Sequence, residues 1–126
     1  MKITILGNIA SKKNSKRLVK VGKRVKVGKR TIPISSKAYM AWEKACHYQV
    51  TNMNLGNPTE EPLSVRAVIY AKGQLPDLSG ALESVGDAFQ GVLWENDRQT
   101  KSWDGSRVFH DKENPRVELS INLFIE

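Results

Sequence analysis

Apolar and polar residues alternate in three parts of the chain, which is the pattern of strands that bury one face. Residues 2–9 form a short apolar stretch, residues 63–71 place five apolar side chains on one face, and residues 116–126 alternate most strictly. In the last two segments the apolar positions are Leu63, Val65, Ala67, Ile69 and Ala71, then Val117, Leu119, Ile121, Leu123 and Ile125. The pattern predicts three strands.

Two further segments have the spacing of amphipathic helices. Residues 36–53 follow serine hydroxyls that suit an N-cap, and their apolar positions are Tyr39, Trp42, Cys46 and Val50. In residues 78–90 one side carries Ala81, Leu82, Val85, Ala88 and Phe89, and the opposite side carries Gly80, Glu83, Ser84 and Asp87. The spacing predicts two helices, and residues 98–115 are predicted to be a loop.

An identical tandem repeat, Val-Lys-Val-Gly-Lys-Arg, occupies residues 19–24 and 25–30. Each Val-Lys-Val alternates with period two, and the Gly-Lys between the copies suits a turn, so a β-hairpin is predicted. A flexible basic loop is the alternative. In both cases, residues 11–31 form a basic arm or hairpin.

The order of these elements predicts one α/β (α+β mixed) domain over residues 1–126, with a small mixed β-sheet covered by helices. There are too few strand–helix–strand units for a doubly wound sheet. No apolar run approaches the roughly 18 residues of a membrane span. Cys46 is the only cysteine, which excludes an intramolecular disulfide and favours an intracellular, cytoplasmic protein.

Charge divides the chain into two unequal parts. Residues 1–42 hold twelve Lys or Arg and no acid, whereas residues 43–126 hold eight Lys or Arg and all thirteen acids. The two parts therefore carry +12 and −5, which sum to the net charge of +7. A basic part next to acids at Asp77, Glu83, Asp87, Glu95 and Asp97 is the layout of a protein that binds phosphate and a divalent metal.

Magnesium prefers oxygen ligands, usually one or two carboxylates with waters and substrate phosphate, and it supports phosphodiester hydrolysis. Asp77 follows a predicted strand, Glu83 and Asp87 lie along the polar side of the next helix, and Asp97 follows in the loop. These acids can converge. From spacing alone, acids that are merely solvated on a helix surface remain the alternative.

The stretch from Pro76 to Gln99 contains Pro-Asp-Leu-Ser-Gly, then Asp-Ala-Phe-Gln-Gly, then Asn-Asp-Arg-Gln. It resembles the RusA family of Holliday-junction resolvases, which pairs a Pro-Asp-Leu-Asp/Ser-Asn opening and a helix ending Asp-Ala-Leu-x-Gly with a later Asp-Asp-x-Gln. Two N-terminal matches, Ser-Lys-Lys-Asn-Ser at 11–15 and Ser-x-x-Tyr-x-x-Trp at 36–42, are supportive. The resemblance implies a homodimeric, Mg²⁺-dependent endonuclease that cuts paired strands symmetrically across a four-way DNA junction, often encoded by a phage or prophage.

On this resemblance Asp77 and Asp97 match metal-site acids of the family, and Asp87 matches its helix Asp. Mn²⁺ is a possible substitute for Mg²⁺. Four positions depart from the family pattern. Ser79 replaces a second catalytic Asp, Gly80 replaces Asn, and Asn96 replaces the first Asp of the later pair. Glu83 stands where some members carry a catalytic Lys, and its carboxylate is one helical turn beyond Ser79 on the same side.

The basic arm supplies the predicted phosphate contacts, which are independent of sequence and weaken with salt. They are Lys12, Lys13, Lys16, Arg17, Lys23, Arg24, Lys29 and Arg30. Trp94 and Trp103 are candidates for stacking on unpaired bases, with core or interface packing as the alternative. His47 and His110 are expected to be exposed, without a catalytic role.

Three rival functions remain open. A non-catalytic nucleic-acid-binding protein would have the same basic arm, but it would not require the ordered motif in residues 76–99. A nuclease acting on flaps or forks would keep the fold and the metal site. A family member that binds branched DNA without cutting it is consistent with Ser79, Gly80 and Asn96. In each case the partner is nucleic acid, and neither a membrane nor a small-molecule substrate is expected.

Overall fold

The computed structural model describes residues 1–11 and 36–126. Within these residues the strands and helices are β1 (Lys2–Leu6), α1 (Lys37–Asn52), β2 (Leu63–Ala71), α2 (Leu78–Ala88), β3 (Thr100–Ser102), β4 (Arg107–His110) and β5 (Arg116–Leu123). A single 3-10 turn, Asp97–Gln99, precedes β3. The predicted hairpin at 19–30 lies outside the described residues.

Strands β1, β5, β2 and β3 are neighbours in that order in one mixed sheet. β5 is antiparallel to both of its neighbours, with Lys2 opposite Ser120 and Arg66 also opposite Ser120. β3 and β4 both run parallel to β2, β3 beside its beginning and β4 beside its end. The strand formed by the C-terminal part of the chain is therefore inserted between the first and second strands.

Alternation along the strands sends one set of side chains into a single core. Ile5, Ala67, Ile69, Val117 and Leu119 are all buried on the same face of the sheet, and both helices pack there. The fold is thus the predicted mixed α/β arrangement, with its helices on one face only. Neither helix among the described residues is long and apolar enough to cross a bilayer.

Helix α1 begins where the sequence predicts. The Ser36 hydroxyl accepts a hydrogen bond from the Tyr39 backbone N–H at 3.1 Å, which satisfies one of the unpaired donors of the first turn. The predicted stripe of Tyr39, Trp42, Cys46 and Val50 is buried. Burial, together with the negative charge of the nearby Glu43, raises the pKa of the Cys46 thiol to about 12, so Cys46 is a packing residue.

The last carbonyls of α2 are held by side chains from outside the helix. The Trp94 indole N–H donates to Gly86 O at 3.0 Å, and His47 Nε2 donates to Ala88 O at 2.6 Å. A carbonyl only accepts, so Nε2 of His47 carries the proton in this contact. Both bonds satisfy carbonyls that a helix end leaves without a partner. His47 is therefore half-buried and structural, contrary to its predicted exposure.

Other predictions of detail were wrong. Residues 98–115 contain the 3-10 turn, β3 and β4, because strands of three and four residues are too short to give a clear alternation. The last strand ends at Leu123, and Ile125 beyond it is 86% exposed. Gly80 and Ser84, which the spacing placed on the polar side of α2, are buried.

The free edge of β1 is closed by a side chain. Gln49 of α1 accepts from the Leu6 N–H at 2.8 Å and donates to the Leu6 carbonyl at 2.9 Å, as a neighbouring strand would. Strands at the edge of a sheet offer unpaired groups to other chains. The Gln49 amide therefore shortens the part of β1 that another strand can pair with.

Replacing Gln49 by Ala is expected to lower the free energy of unfolding by about 1 kcal/mol, because two partly exposed hydrogen bonds are lost. Gln49→Met is the matched control, since it keeps the length of the side chain and removes both bonds. Urea denaturation measures both variants. Wild-type stability in Gln49→Met would show that packing of the stem, and not the paired bonds, holds α1 to β1.

Candidate functional site

Asp77 caps the N-terminus of α2. Its Oδ2 accepts from the Ser79 hydroxyl at 3.0 Å and from the Gly80 N–H at 3.4 Å. The N-cap role explains why an aspartate stands at this point in the chain. The Asp77 side chain is exposed, however, so the helix start also presents a carboxylate to solvent just beyond the end of β2.

A groove of about 780 Å³ runs beside Asp77. Its lining residues include Ser11, Ser36, Pro76 and Asp77. Ser11 and Ser36 flank residues 12–35, which hold ten Lys or Arg and no acid. The two residues that flank the basic segment in sequence therefore both line the groove that Asp77 borders. We call this feature the Asp77 groove.

One face of α2 turns away from the core and carries Ser79, Glu83 and Gly86, which are spaced by four and then three residues. Ser79 and Glu83 are exposed, but Gly86 is buried. A methyl group placed on Gly86 would lie 3.6 Å from Asp97 Cβ and 3.9 Å from a ring carbon of Trp103. Asp97 and Trp103 therefore cover the outer face of α2 at its C-terminal end.

Three amide side chains fix the backbone at Asp97. Gln90 Oε1 accepts from the Asp97 N–H at 2.9 Å. The Asn96 side chain caps the 3-10 turn by accepting from the Arg98 N–H at 2.9 Å, and Gln99 Oε1 accepts from the Asn96 N–H at 2.7 Å. This reciprocal arrangement is a capping box. Asn96 is thus engaged in positioning the turn.

Gln99 also ties the turn to the rest of the fold. Its Nε2 donates to the carbonyls of Thr59 and Glu61, each at 2.9 Å. Gln99 belongs to the Asn-Asp-Arg-Gln motif, and the Asn-x-x-Gln spacing of that motif is the sequence signal of a capping box. The role of Gln90, which belongs to the Asp-Ala-Phe-Gln-Gly motif, was not predicted, because nothing in the local sequence signals its contact with Asp97.

Asp87 is a residue of α2 and does not lie on the side of the helix that Asp97 packs against. Its neighbour is Tyr39 of α1, whose pKa is raised by burial and further by the negative charges of Glu43 and Asp87. Asp87 is half-buried. Of the four predicted metal-site acids, Asp87 thus lies near Tyr39 at the junction of the helices, Asp97 lies beside Gly86, Glu83 is exposed on α2, and Asp77 caps its start.

The donor chemistry of these acids is that of a Mg²⁺ site, because all of the donors are carboxylate oxygens. Among residues 1–11 and 36–126, however, no three acidic, His or Cys side chains form a group that could hold a metal ion together. Asp77 and Gly86 are nine residues apart, or about 13 Å along a helix axis. Glu83 is one helical turn before Gly86, and Gly86 is the residue that Asp97 packs against, so Glu83 and Asp97 belong to the same end of α2. The arrangement fits a metal bound by these two carboxylates and waters.

The remaining predicted site residues have varied positions. Trp94 is fully buried, so its stacking on bases is excluded, and Trp103 is half-buried against α2. His110 is exposed, as predicted, and its Nε2 lies 3.0 Å from Gly73 O. The eight predicted phosphate contacts, from Lys12 to Arg30, lie outside the described residues.

Gly86→Ala is expected to raise the free energy of unfolding by about 0.5–1 kcal/mol, because the new methyl group meets its neighbours at ordinary contact distances and alanine favours the helix. Gly86→Leu is expected to be destabilising, because the larger side chain must displace Asp97 or Trp103. Thermal denaturation of both variants measures the difference. Equal tolerance of Ala and Leu would show that the 97–103 segment does not pack against α2.

The chain matches no protein-family model and no curated protein. The assignment to the RusA family therefore stays a hypothesis based on the motif in residues 76–99 and the N-terminal matches.

Proposed function

We propose that this chain is a RusA-like endonuclease that resolves four-way DNA junctions in the cytoplasm by paired, symmetric phosphodiester cleavage. The observation that carries the proposal is the Asp77 groove. Its lining includes the exposed carboxylate at the start of α2 and Ser11 and Ser36, the residues that flank a segment with ten basic residues in the sequence. A phosphate-binding segment attached beside a row of carboxylates is the arrangement that metal-dependent nucleic-acid hydrolysis requires.

Different residues would bind phosphate, hold the metal and position the metal ligands. Basic residues between 12 and 35 bind backbone phosphates and direct the DNA along α2, from the Asp77 groove toward Glu83 and Asp97. Glu83 and Asp97 would hold the metal, with Gln90 and Gln99 positioning Asp97 through the backbone contacts described above. Bound Mg²⁺ or Mn²⁺ supplies charge stabilisation on the phosphate and makes a water molecule more acidic. Asp77 orients the Ser79 hydroxyl at the other end of the same helix face.

Symmetric cleavage requires two equivalent sites, so the proposal includes a homodimer. A two-fold dimer presents two copies of each groove related by the same operation that relates the paired strands of a four-way junction. Preference for a junction over linear DNA then follows from the spacing and orientation of two basic surfaces, since phosphate contacts carry no sequence information.

A second function, binding of branched DNA without cleavage, is favoured by one specific observation. Asp77 is engaged as a helix cap, and Asn96 supplies a capping amide where the family has an acid. The described acids do not gather into a group of three. A protein that recognises junctions, forks or flaps would keep the basic segment and the fold without needing a complete metal site.

The test is incubation of the purified protein with a labelled synthetic four-way junction, beside a matched flap and linear duplex, with Mg²⁺ and with EDTA. Symmetric nicks in the junction that require Mg²⁺ are the expected result. Tight binding to the junction without cleavage in Mg²⁺ or Mn²⁺ would support the second function. Equal affinity for all three substrates would refute both.

A further inference from the structure

The face of the sheet away from the helices carries two rows of outward-pointing side chains, and we call it the open face. Register across the strands places Lys2, Ser120 and Arg66 in one row and Arg116, Tyr70 and Phe109 in the other. Neither described helix packs on this face, because the core lies entirely on the opposite side of the sheet. The function proposed above assigns no role to the open face.

The second row is a stack of planar groups. The Arg116 guanidinium lies 3.8 Å from the centre of the Tyr70 ring, and the Tyr70 and Phe109 rings are stacked with centres 5.6 Å apart and planes inclined by 26°. Phe109 is 44% exposed and stands on β4, at the edge of the described sheet. The stack therefore ends in an aromatic ring with one face open to solvent.

Arg116 orders this stack and is already neutralised. Its guanidinium pairs with Asp111 at 2.9 Å and with Glu118 at 2.8 Å. The hydrogen bond from Arg116 holds the pKa of the Asp111 carboxyl below its usual range, with backbone N–H groups adding to the effect. Arg116 consequently supports the Tyr70 ring and is not available to a ligand.

Three cations on the open face lack such acidic partners among the described residues. A depression of about 380 Å³ lies over the first row, with Lys2, Arg66 and Ser120 among its lining residues and Asp104 as its acidic residue. Arg107 precedes Phe109 by two residues on the same face of β4. Within the described residues, none of Lys2, Arg66 and Arg107 forms an ion pair.

We propose that the open face binds a single-stranded segment of DNA, with a base stacked on Phe109 and backbone phosphates contacted by Arg107, Arg66 and Lys2. Aromatic rings that stack bases, beside cations that follow the backbone, are the general features of single-strand binding. Arg66 and Tyr70 are four residues apart on β2, or about 13 Å, so a strand running along β2 contacts both rows. The choice of DNA rests on the proposed function, in which unpaired strands occur beside a branch point.

The test is fluorescence anisotropy of a labelled oligo-dT in EDTA, where cleavage plays no part. Phe109→Ala is expected to weaken binding roughly tenfold, the effect of losing one stacked base. Phe109→Leu keeps an apolar contact to Tyr70 but lacks a ring, so it should lose binding similarly while remaining folded by circular dichroism. Tyr48→Ala is the matched control, because Tyr48 is a 69% exposed aromatic residue on α1, and it should bind like the wild type.

Unchanged affinity in both Phe109 variants would overturn the inference, as would an equal loss in Tyr48→Ala. Sedimentation of the same proteins is the second readout. A change from dimer to monomer in the Phe109 variants would show that a second copy of the chain covers the open face. Tighter binding of the matched oligo-U would contradict the choice of DNA. Because metal is absent throughout, the expected result stands even if the protein cuts no junction.

Discussion

Asp97→Asn is expected to lower the rate of junction cleavage about 100- to 1,000-fold, the usual effect of removing one electrostatic group from a phosphate or acyl transfer site. Asparagine keeps the size of the side chain, and the hydrogen bond from the Asp97 backbone to Gln90 does not involve the carboxylate. The turn should therefore keep its place while the charge is lost. Single-turnover cleavage of a labelled four-way junction measures the rate, and anisotropy in EDTA measures binding, which should be unchanged.

Two other variants make this result specific. Glu60→Gln removes an exposed carboxylate outside the helix α2 face, and it should cleave like the wild type. Asp87→Asn tests the other candidate position for the metal site, because Asp87 lies beside Tyr39 while Asp97 covers Gly86. Wild-type cleavage by Asp97→Asn, together with loss of cleavage in Asp87→Asn, would place the site at the junction of the helices instead.

Trp94→Ala is expected to lower the free energy of unfolding by about 3–5 kcal/mol, as for other large buried aromatic residues. Trp94 is fully buried, packs edge-to-face on Phe89 with ring centres 6.1 Å apart, and donates to Gly86 O. Its loss would leave a cavity and an unpaired carbonyl at the end of α2. Denaturation in urea measures the change.

Trp94→Phe tests the two contributions separately. Phenylalanine keeps an aromatic ring against Phe89 but has no N–H for the Gly86 carbonyl, so it should fall between the wild type and Trp94→Ala. Equal stability of Trp94→Phe and the wild type would mean that the indole hydrogen bond contributes nothing. Since Gly86 also contacts Asp97, cleavage should decline with the Trp94 variants in proportion to their loss of structure.

The spacing of apolar residues predicted the long helices and strands well, because each of them contains enough consecutive residues to show a repeating burial pattern. The nine residues of β2 and the four apolar positions of α1 correspond to the predictions. Strands β3 and β4 were missed for the opposite reason. They are short, and their place in the sheet depends on β2, a partner remote in sequence that no local pattern reveals.

The sequence identified the residues of the candidate site, but it did not predict their relative positions in the fold. Sequence placed Asp77 at the junction before α2, where it caps the helix. It could not show that Asp87 and Asp97 lie on different flanks, since that depends on how the 97–103 segment packs over Gly86. The role of Gln90 depends on the same packing. Trp94 was a candidate for base stacking but is a core residue. The local sequence did not distinguish these two roles, because a tryptophan beside acidic residues is compatible with both.

The insertion of β5 between β1 and β2 has a consequence for folding during synthesis. Until residues 116–123 have left the ribosome, β1 has no strand to pair with among the described elements, and the apolar face of β2 lacks its principal neighbour. Long-range pairing of this kind is slow and leaves strand edges exposed meanwhile. The nascent chain must therefore remain open to chaperones and proteases until β5 has been synthesised, and the sheet closes only then.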